Sequence, residues 1–304
     1  MFEVIFLGTS ASAPSVYRGL PAQVIKHNEH RFLLDCGEGT QRQILKSGMG
    51  FRKLNRLLIT HGHLDHILGI GGLLSTYLRW EAMDSMEIYA GQSALDRIHD
   101  LIFNVVTRGT TPPFPIHLIP VKSGIVIEEY DLTISAFPVK HRGPGCFGYV
   151  FEEKGKRPFL AEKAEALGIP QGPWRRDLVN GKAATLPDGR VIQADEVLGA
   201  FEKGTKLVAV GDTGETDSLL PYCEDADAII CEGTYLEEEA EMAAEFAHLT
   251  ARKAAEFALR ANAKALYLTH ISRRYREKDV ETEAQAVFPG AIVARDLDTF
   301  QIKR

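Results

Sequence analysis

The chain has 304 residues, 45% of them hydrophobic and 25% charged, with a formal net charge of −6. That length can bury the core of one large α/β domain or two small ones, no apolar run reaches membrane-spanning length, and an acidic chain attracts polyanions only through a local basic patch. Four cysteines, Cys36, Cys146, Cys223 and Cys231, stand apart without a Cys-x-x-Cys pair, which argues against a disulfide framework or a thiolate metal site and for reduced thiols.

Residues 2–7 read as a strand, with no basic stretch and apolar core of a leader ahead of them, so the expected location is the cytoplasm. The following Gly8-Thr9-Ser10-Ala11-Ser12-Ala13-Pro14 offers hydroxyls to a phosphate but has no lysine and no Gly-x-Gly-x-x-Gly, and a plain loop explains it equally well. Residues 22–26 and 31–34 form a predicted hairpin across Asn28-Glu29, and a short helix is expected over 40–46. Asp35 lies where the second of these strands ends. Two roles suit it: acceptor for the N–H of a metal-binding imidazole, or cap of the helix that follows.

The apolar run Leu57-Leu58-Ile59 delivers Thr60-His61-Gly62-His63-Leu64-Asp65-His66. Three imidazoles and a carboxylate in six residues suit zinc or a similar divalent ion, and Gly62 lets the backbone turn tightly enough for neighbouring side chains to converge. A solvated histidine-rich turn is the plain alternative, and so dense a cluster directly after an apolar strand argues against it. A helix is expected from there to about Trp80, its early glycines packing closely under the metal site. Beyond it come a strand at 86–90, a helix at 94–106 and short strands at 116–119, 125–127 and 132–137. Loops between the last three are too short for helices, which predicts a mixed, partly antiparallel sheet. His141 follows the last of them; a lone histidine there is ordinarily structural, but its position past a strand end matches the first cluster.

After a strand at 148–151 the composition changes. Residues 154–190 hold nine glycines and prolines and eight Lys or Arg against four Asp or Glu, so this stretch is net +4. At its centre Gly172-Pro173-Trp174-Arg175-Arg176 joins an aromatic ring to two guanidinium groups, a combination suited to phosphates and exposed bases; a passive surface insertion is the other reading. Regular order then resumes. Strands at 206–210, 228–231 and 265–269 deliver Asp212, Glu232 and His270, helices are expected over 237–246, 251–260 and 279–287, Thr250 is a candidate N-cap, and a strand pair at 291–294 and 299–302 ends the chain.

His141, Asp212 and His270 each lie just past a strand, so residues far apart in sequence can meet at one sheet edge. With His61, His63, Asp65 and His66 they make seven groups of ligand type, more than one zinc takes, which points to two metals sharing a carboxylate. The His-x-His-x-Asp-His loop with the later His, Asp and His resembles the metallo-β-lactamase superfamily. Within it, the chain is most similar to ribonuclease Z, a family of tRNA 3′-end processing endonucleases, through Phe6-Leu7-Gly8-Thr9-Ser10, Asp35-Cys36-Gly37-Glu38-Gly39-Thr40-Gln41, Gly211-Asp212-Thr213, Glu232-Gly233-Thr234-Tyr235 and Leu268-Thr269-His270-Ile271-Ser272-Arg273-Arg274-Tyr275.

The resemblance implies a single αββα domain, two mixed sheets flanked by helices, with the insertion as a flexible tRNA-binding arm on a homodimer. It implies two zinc ions per subunit, with manganese or magnesium as cellular substitutes: one on His61, His63 and His141, the other on Asp65, His66 and His270, and Asp212 between them. The implied reaction cuts precursor tRNA after its discriminator base, leaving a 3′-hydroxyl tRNA and a 5′-phosphate trailer. Asp65 then takes the proton of the attacking water and His248 protonates the leaving 3′ oxygen. Trp174, Arg175 and Arg176 would grip tRNA, and Arg273 and Arg274 would orient phosphate. Two positions depart from the family pattern: Leu249 stands where a small hydroxyl residue usually follows the histidine, and Ser12-Ala13-Pro14-Ser15-Val16-Tyr17-Arg18 differs after Gly8. Small-molecule phosphodiesterases and arylsulfatase-like hydrolases on the same fold are the competing reading, against which the basic, Trp-bearing arm speaks.

Overall fold

In the computed structural model, which describes residues 1–80 and 83–304 (Trp80 by its backbone alone), the chain resolves into two compact units. One comprises Met1–Glu152 with Thr205–Arg304, the other Glu153–Gly204. The strands of the first unit are β1 (Phe2–Gly8), β2 (Ala22–His27), β3 (His30–Leu34), β4 (Arg56–Leu58), β5 (Met86–Ala90), β6 (Ile116–Pro120), β7 (Gly124–Glu128), β8 (Leu132–Pro138) and β9 (Phe147–Glu153). After β10 (Ala184–Thr185) and β11 (Val191–Ile192) of the second unit come β12 (Lys206–Ala209), β13 (Ala228–Glu232), β14 (Leu266–Thr269), β15 (Ala291–Val293) and β16 (Thr299–Ile302).

Two seven-stranded sheets result, ordered β16-β1-β2-β3-β4-β5-β6 and β15-β14-β13-β12-β9-β8-β7. Both mix parallel and antiparallel pairs: β3, β4, β5 and β6 run parallel while β1 and β2 are antiparallel, and β12 to β15 run parallel while β9 opposes β12. The two last strands do not pair with each other as the sequence suggested. β15 joins β14 in parallel and β16 joins β1 antiparallel, one in each sheet.

Side chains alternate across each strand, and both faces are covered. Phe2, Val4 and Phe6 of β1 enter the core between the sheets with Tyr149, Phe151, Ala228 and Ile230, whereas Ile5 and Leu7 point to a core with the helix Gly69–Trp80. Ile229 and Cys231 of β13 likewise turn toward the helices Ala251–Arg260 and Glu277–Gln285. The architecture is αββα, and strands buried on both faces explain the near-continuous apolar runs. The four cysteines are all buried free thiols.

The second unit is longer than its composition indicated. The sequence placed the insertion at 154–190, but Ala194, Val197 and Leu198 complete its small core with Ala164, Ile169, Leu178 and Ile192, and Lys156 bridges to Glu202. Over 153–204 nine Lys or Arg stand against eight Asp or Glu, so the basic excess is +1 rather than +4.

Candidate metal centre

Parallel strands deliver their C-terminal ends to a common edge, and that edge carries the polar residues. Asp35 follows β3, the 60–66 segment follows β4, Asp212 follows β12, Glu232 ends β13 and His270 follows β14. His141 lies just past β8. Asp35 and His270 take left-handed backbone at φ 56° each, which turns the chain sharply as it leaves its strand. Two glycines set the close approach beneath the centre: a Cβ on Gly69 would lie 1.9 Å from Gly37 O, and one on Gly37 would lie 2.5 Å from Asp65 O.

The structure brings all seven expected ligand residues together. His61, His63, His141 and Asp212 present ligand atoms within 4.8 Å of one another, as do Asp65, His66 and His270. Asp212 Oδ2 is the common point, 3.8 Å from His61 Nε2, 3.4 Å from His66 Nε2, 3.9 Å from His141 Nε2 and 3.3 Å from His270 Nε2. Asp65 Oδ2 lies 3.5 Å from His270 Nε2 and 3.8 Å from His66 Nε2.

Outer hydrogen bonds decide which nitrogen faces inward. His66 Nδ1 donates to Asp35 Oδ2 at 2.8 Å, and His141 Nδ1 to Ala247 O at 2.8 Å. Thr60 Oγ1 donates to Asp35, so it accepts from His61 Nδ1 at 3.0 Å. Thr234 Oγ1 donates to Glu232 and accepts from His270 Nδ1 at 2.9 Å. Each ring is thereby fixed with an Nε2 lone pair toward Asp212, the tautomer a metal ligand needs. Nε2 of His61, His66 and His270 is buried without a hydrogen-bond partner, which is costly unless something else occupies the lone pair. A divalent cation fits: imidazole and carboxylate donors, buried and aimed at one place, are its ligand set.

Protonation follows the same arrangement. Burial and the neighbouring imidazoles outweigh the Asp212 carboxylate to hold His61 well below its ordinary value, and burial with His141 pulls His63 down to about 4. At His66 burial is overcome by Asp212 and Asp35, so its value rises and a cation at Nε2 would take the place of a proton. Burial acts to raise Asp65 and Asp212, yet the facing imidazoles keep both carboxylates ionised, below the usual range.

Asp35 settles into the first of its two roles. It accepts from His66 and from the Thr60 N–H at 2.8 Å, while the helix Thr40–Lys46 begins after Gly39 with no side-chain cap. His248 is buried, 6% exposed, with Nδ1 2.9 Å from Glu232 Oε1. Burial pushes its value down, but the Glu232 carboxylate more than compensates and raises it to about 9. Leu249, the departure beside it, contributes its backbone N–H to Glu232 Oε2 at 3.1 Å and packs its side chain in the core. Glu232 thus anchors Thr213 N, Thr234, His248 and Leu249. Sequence reading gave it no role; a carboxylate ending the fully buried strand Ala228–Glu232 was the available signal.

The expected substrate contacts divide. Arg175 donates to Ile169 O at 2.8 Å and lies 5.9 Å from the Phe159 ring centroid, and Trp174 packs against the second unit's core; both are internal supports, and Arg176 alone of the three is exposed. Arg274 is paired with Glu239, while Arg273 is exposed. Ser12 N–H, by contrast, reaches Asp65 Oδ2 at 2.9 Å, a backbone contact no residue pattern announces.

This fold with histidines and carboxylates at the sheet edge defines a metal-dependent hydrolase of the metallo-β-lactamase class. A model of the beta-lactamase superfamily domain matches residues 30–161. The metallo-beta-lactamase fold protein YhfI from Bacillus subtilis superposes with TM-score 0.71 at 17% identity, covering 99% of this chain and 100% of that one, and human tRNase Z, short form, with TM-score 0.68 at 25% identity and the same coverages. Ribonuclease Z of Bradyrhizobium diazoefficiens is 43% identical over 98% of this chain and 99% of its own, and that of Methanothermobacter thermautotrophicus 40% identical over 100% and 97%. The chain belongs to the ribonuclease Z family.

Proposed function

We propose that this chain is the endonuclease that cuts precursor tRNA 3′ of the discriminator base, leaving a 3′-hydroxyl tRNA and a 5′-phosphate trailer. The observation that carries the reading is Asp212 Oδ2, faced by four imidazole Nε2 atoms between two ligand groups, in a chain that matches ribonuclease Z from end to end. His61, His63 and His141 would hold one zinc ion, Asp65, His66 and His270 a second, and Asp212 both. When bound, such ions supply Lewis acidity, offsetting charge on the phosphoryl oxygens and making water nucleophilic near neutral pH.

The chain's own groups move the protons. Asp65, kept ionised and steadied by Ser12 N–H, accepts the proton of the attacking water. His248 holds one proton at Nδ1 against Glu232, and a value near 9 keeps a second at Nε2 at neutral pH, available to the departing ribose 3′ oxygen.

The arm reading rests on fewer side chains than the sequence suggested. With Arg175 and Trp174 engaged internally, exposed side chains such as Lys163, Arg176 and Lys182 are the second unit's candidates for phosphate contact. A homodimer is proposed from the family resemblance, and exposed Leu45, Leu64 and Leu68 are apolar side chains available to it. No helix among the described residues is long and apolar enough to cross a membrane, and the proposed site of action is the cytoplasm, where precursor tRNA is found.

The test is incubation of zinc-loaded protein with a precursor tRNA lacking encoded CCA, followed by mapping of both product ends. Cleavage directly after the discriminator supports the proposal; cleavage elsewhere, or none, refutes it.

A further inference from the structure

Arg142 follows the ligand-type residue His141, and its guanidinium lies 5.3 Å from the ring centroid of Phe246. The segments are locked together beside the metal cluster: His141 Nδ1 donates to Ala247 O, and His248 comes next in the chain. Tyr235 lies on the same side, its ring centroid 6.1 Å from that of His248. The Arg142 charge is felt by both His248 and Tyr235.

Arg142 is exposed, and no carboxylate of the described residues pairs with it, whereas Arg274 is paired with Glu239. A guanidinium seated on an aromatic face keeps its in-plane N–H donors free and loses little rotamer freedom on binding. Those donors match two oxygens of a phosphate.

The side of the cluster fixes which phosphate. His248 protonates the departing 3′ oxygen in the mechanism above, so the nucleotide 5′ of the cut lies toward His248, in the ligand group with Asp212 and His270, whereas Asp65 belongs to the group with His66 and His270. The next phosphate on the His248 side is the one that precedes this nucleotide.

We propose that Arg142, seated on Phe246, binds the phosphate on the 5′ side of the nucleotide whose 3′ oxygen leaves, and so positions the linkage that is cut. This rests on the tRNA-cleaving reading. It assigns a positioning role to a residue outside the metal ligands and the proton-transfer groups.

The experiment is steady-state cleavage of precursor tRNA by wild-type protein and by Arg142→Ala, Arg142→Lys and Phe246→Leu, over a range of salt concentrations and with product ends mapped. Arg142→Ala raises KM about tenfold or more, lowers kcat less, and reduces the slope of log(kcat/KM) against log salt by about 0.7. Arg142→Lys recovers most of the slope but only part of KM, and Phe246→Leu, which keeps the charge and loses its seat, moves KM in the same direction. Unchanged KM and salt slope in Arg142→Ala, with wild type cutting normally, overturns the proposal alone. An equal loss on bis-p-nitrophenyl phosphate, which has no second phosphate, also overturns it. Failure of the wild type to cut precursor tRNA overturns the underlying reading instead.

Discussion

His66 and Asp35 form a buried pair, Nδ1 to Oδ2 at 2.8 Å, that fixes the imidazole through the ring nitrogen facing away from the cluster. Asp35 follows β3 and His66 lies beyond β4, so the parallel pairing of those strands sets the orientation of the imidazole. Asp35→Asn keeps the shape but cannot hold the same tautomer with equal strength. It is expected to weaken zinc binding about 10- to 100-fold, measured by competition with a chelator; unchanged affinity would assign the pair a folding role only.

Glu232 sets the pH range over which His248 carries its second proton. A raised value means the protonated imidazole persists up to about pH 9 and is lost above it. Activity that requires this proton therefore falls on the alkaline side, and Glu232→Gln moves that falling limb to lower pH. A pH–rate profile of kcat for both proteins checks the shift, and coincident alkaline limbs would remove His248 as the proton donor.

Asp65→Ala removes the proposed proton acceptor while leaving the arm intact. Cleavage is expected to drop by about 10²-fold or more with tRNA affinity retained. Turnover near normal in the metal-loaded variant would end that assignment for Asp65.

Removing the second unit, with a short linker joining Glu152 to Thr205, tests the clamp. β9 and β12 already pair at Lys206 and Glu152, so the join spans neighbouring strand ends. Affinity for tRNA is expected to fall, together with its dependence on salt, and hydrolysis of bis-p-nitrophenyl phosphate much less. Equal tRNA affinity with and without the unit would show that it does not grip the substrate.

Gly69 offers a stability test separate from chemistry. The 1.9 Å approach of a new Cβ to Gly37 O leaves backbone no room, so Gly69→Ala must shift the helix Gly69–Trp80 away from the Cys36–Gly37 turn that follows β3. A loss of about 1–3 kcal/mol is expected, read from thermal or urea unfolding, and wild-type stability would mean the helix start relaxes freely.

The residues that converge on Asp212 were legible because each sits where an apolar strand stops, a pattern that survives separation along the chain: His61, His141, Asp212 and His270 share it. Asp35 was half legible, since a carboxylate after a strand suits a cap and an outer acceptor alike until the position of His66 is known. The link from Glu232 to His248 carries no spacing rule, because it depends on β13 and the turn before the helix Ala251–Arg260 meeting in space. Composition misplaced the end of the second unit for a similar reason. Ala194, Val197 and Leu198 look like any apolar stretch until they are seen filling that unit's core. For Arg175, read from sequence as a tRNA contact, the hydrogen bonds to Ile169 O of its own unit likewise carried no sequence signal.

Anomalous diffraction at the zinc edge from metal-soaked crystals tests the central claim most directly, since it locates the ions without reference to activity. Two peaks are predicted, one bound by His61, His63 and His141, the other by Asp65, His66 and His270, with Asp212 touching both. A single peak, or peaks held by other residues, would contradict the account.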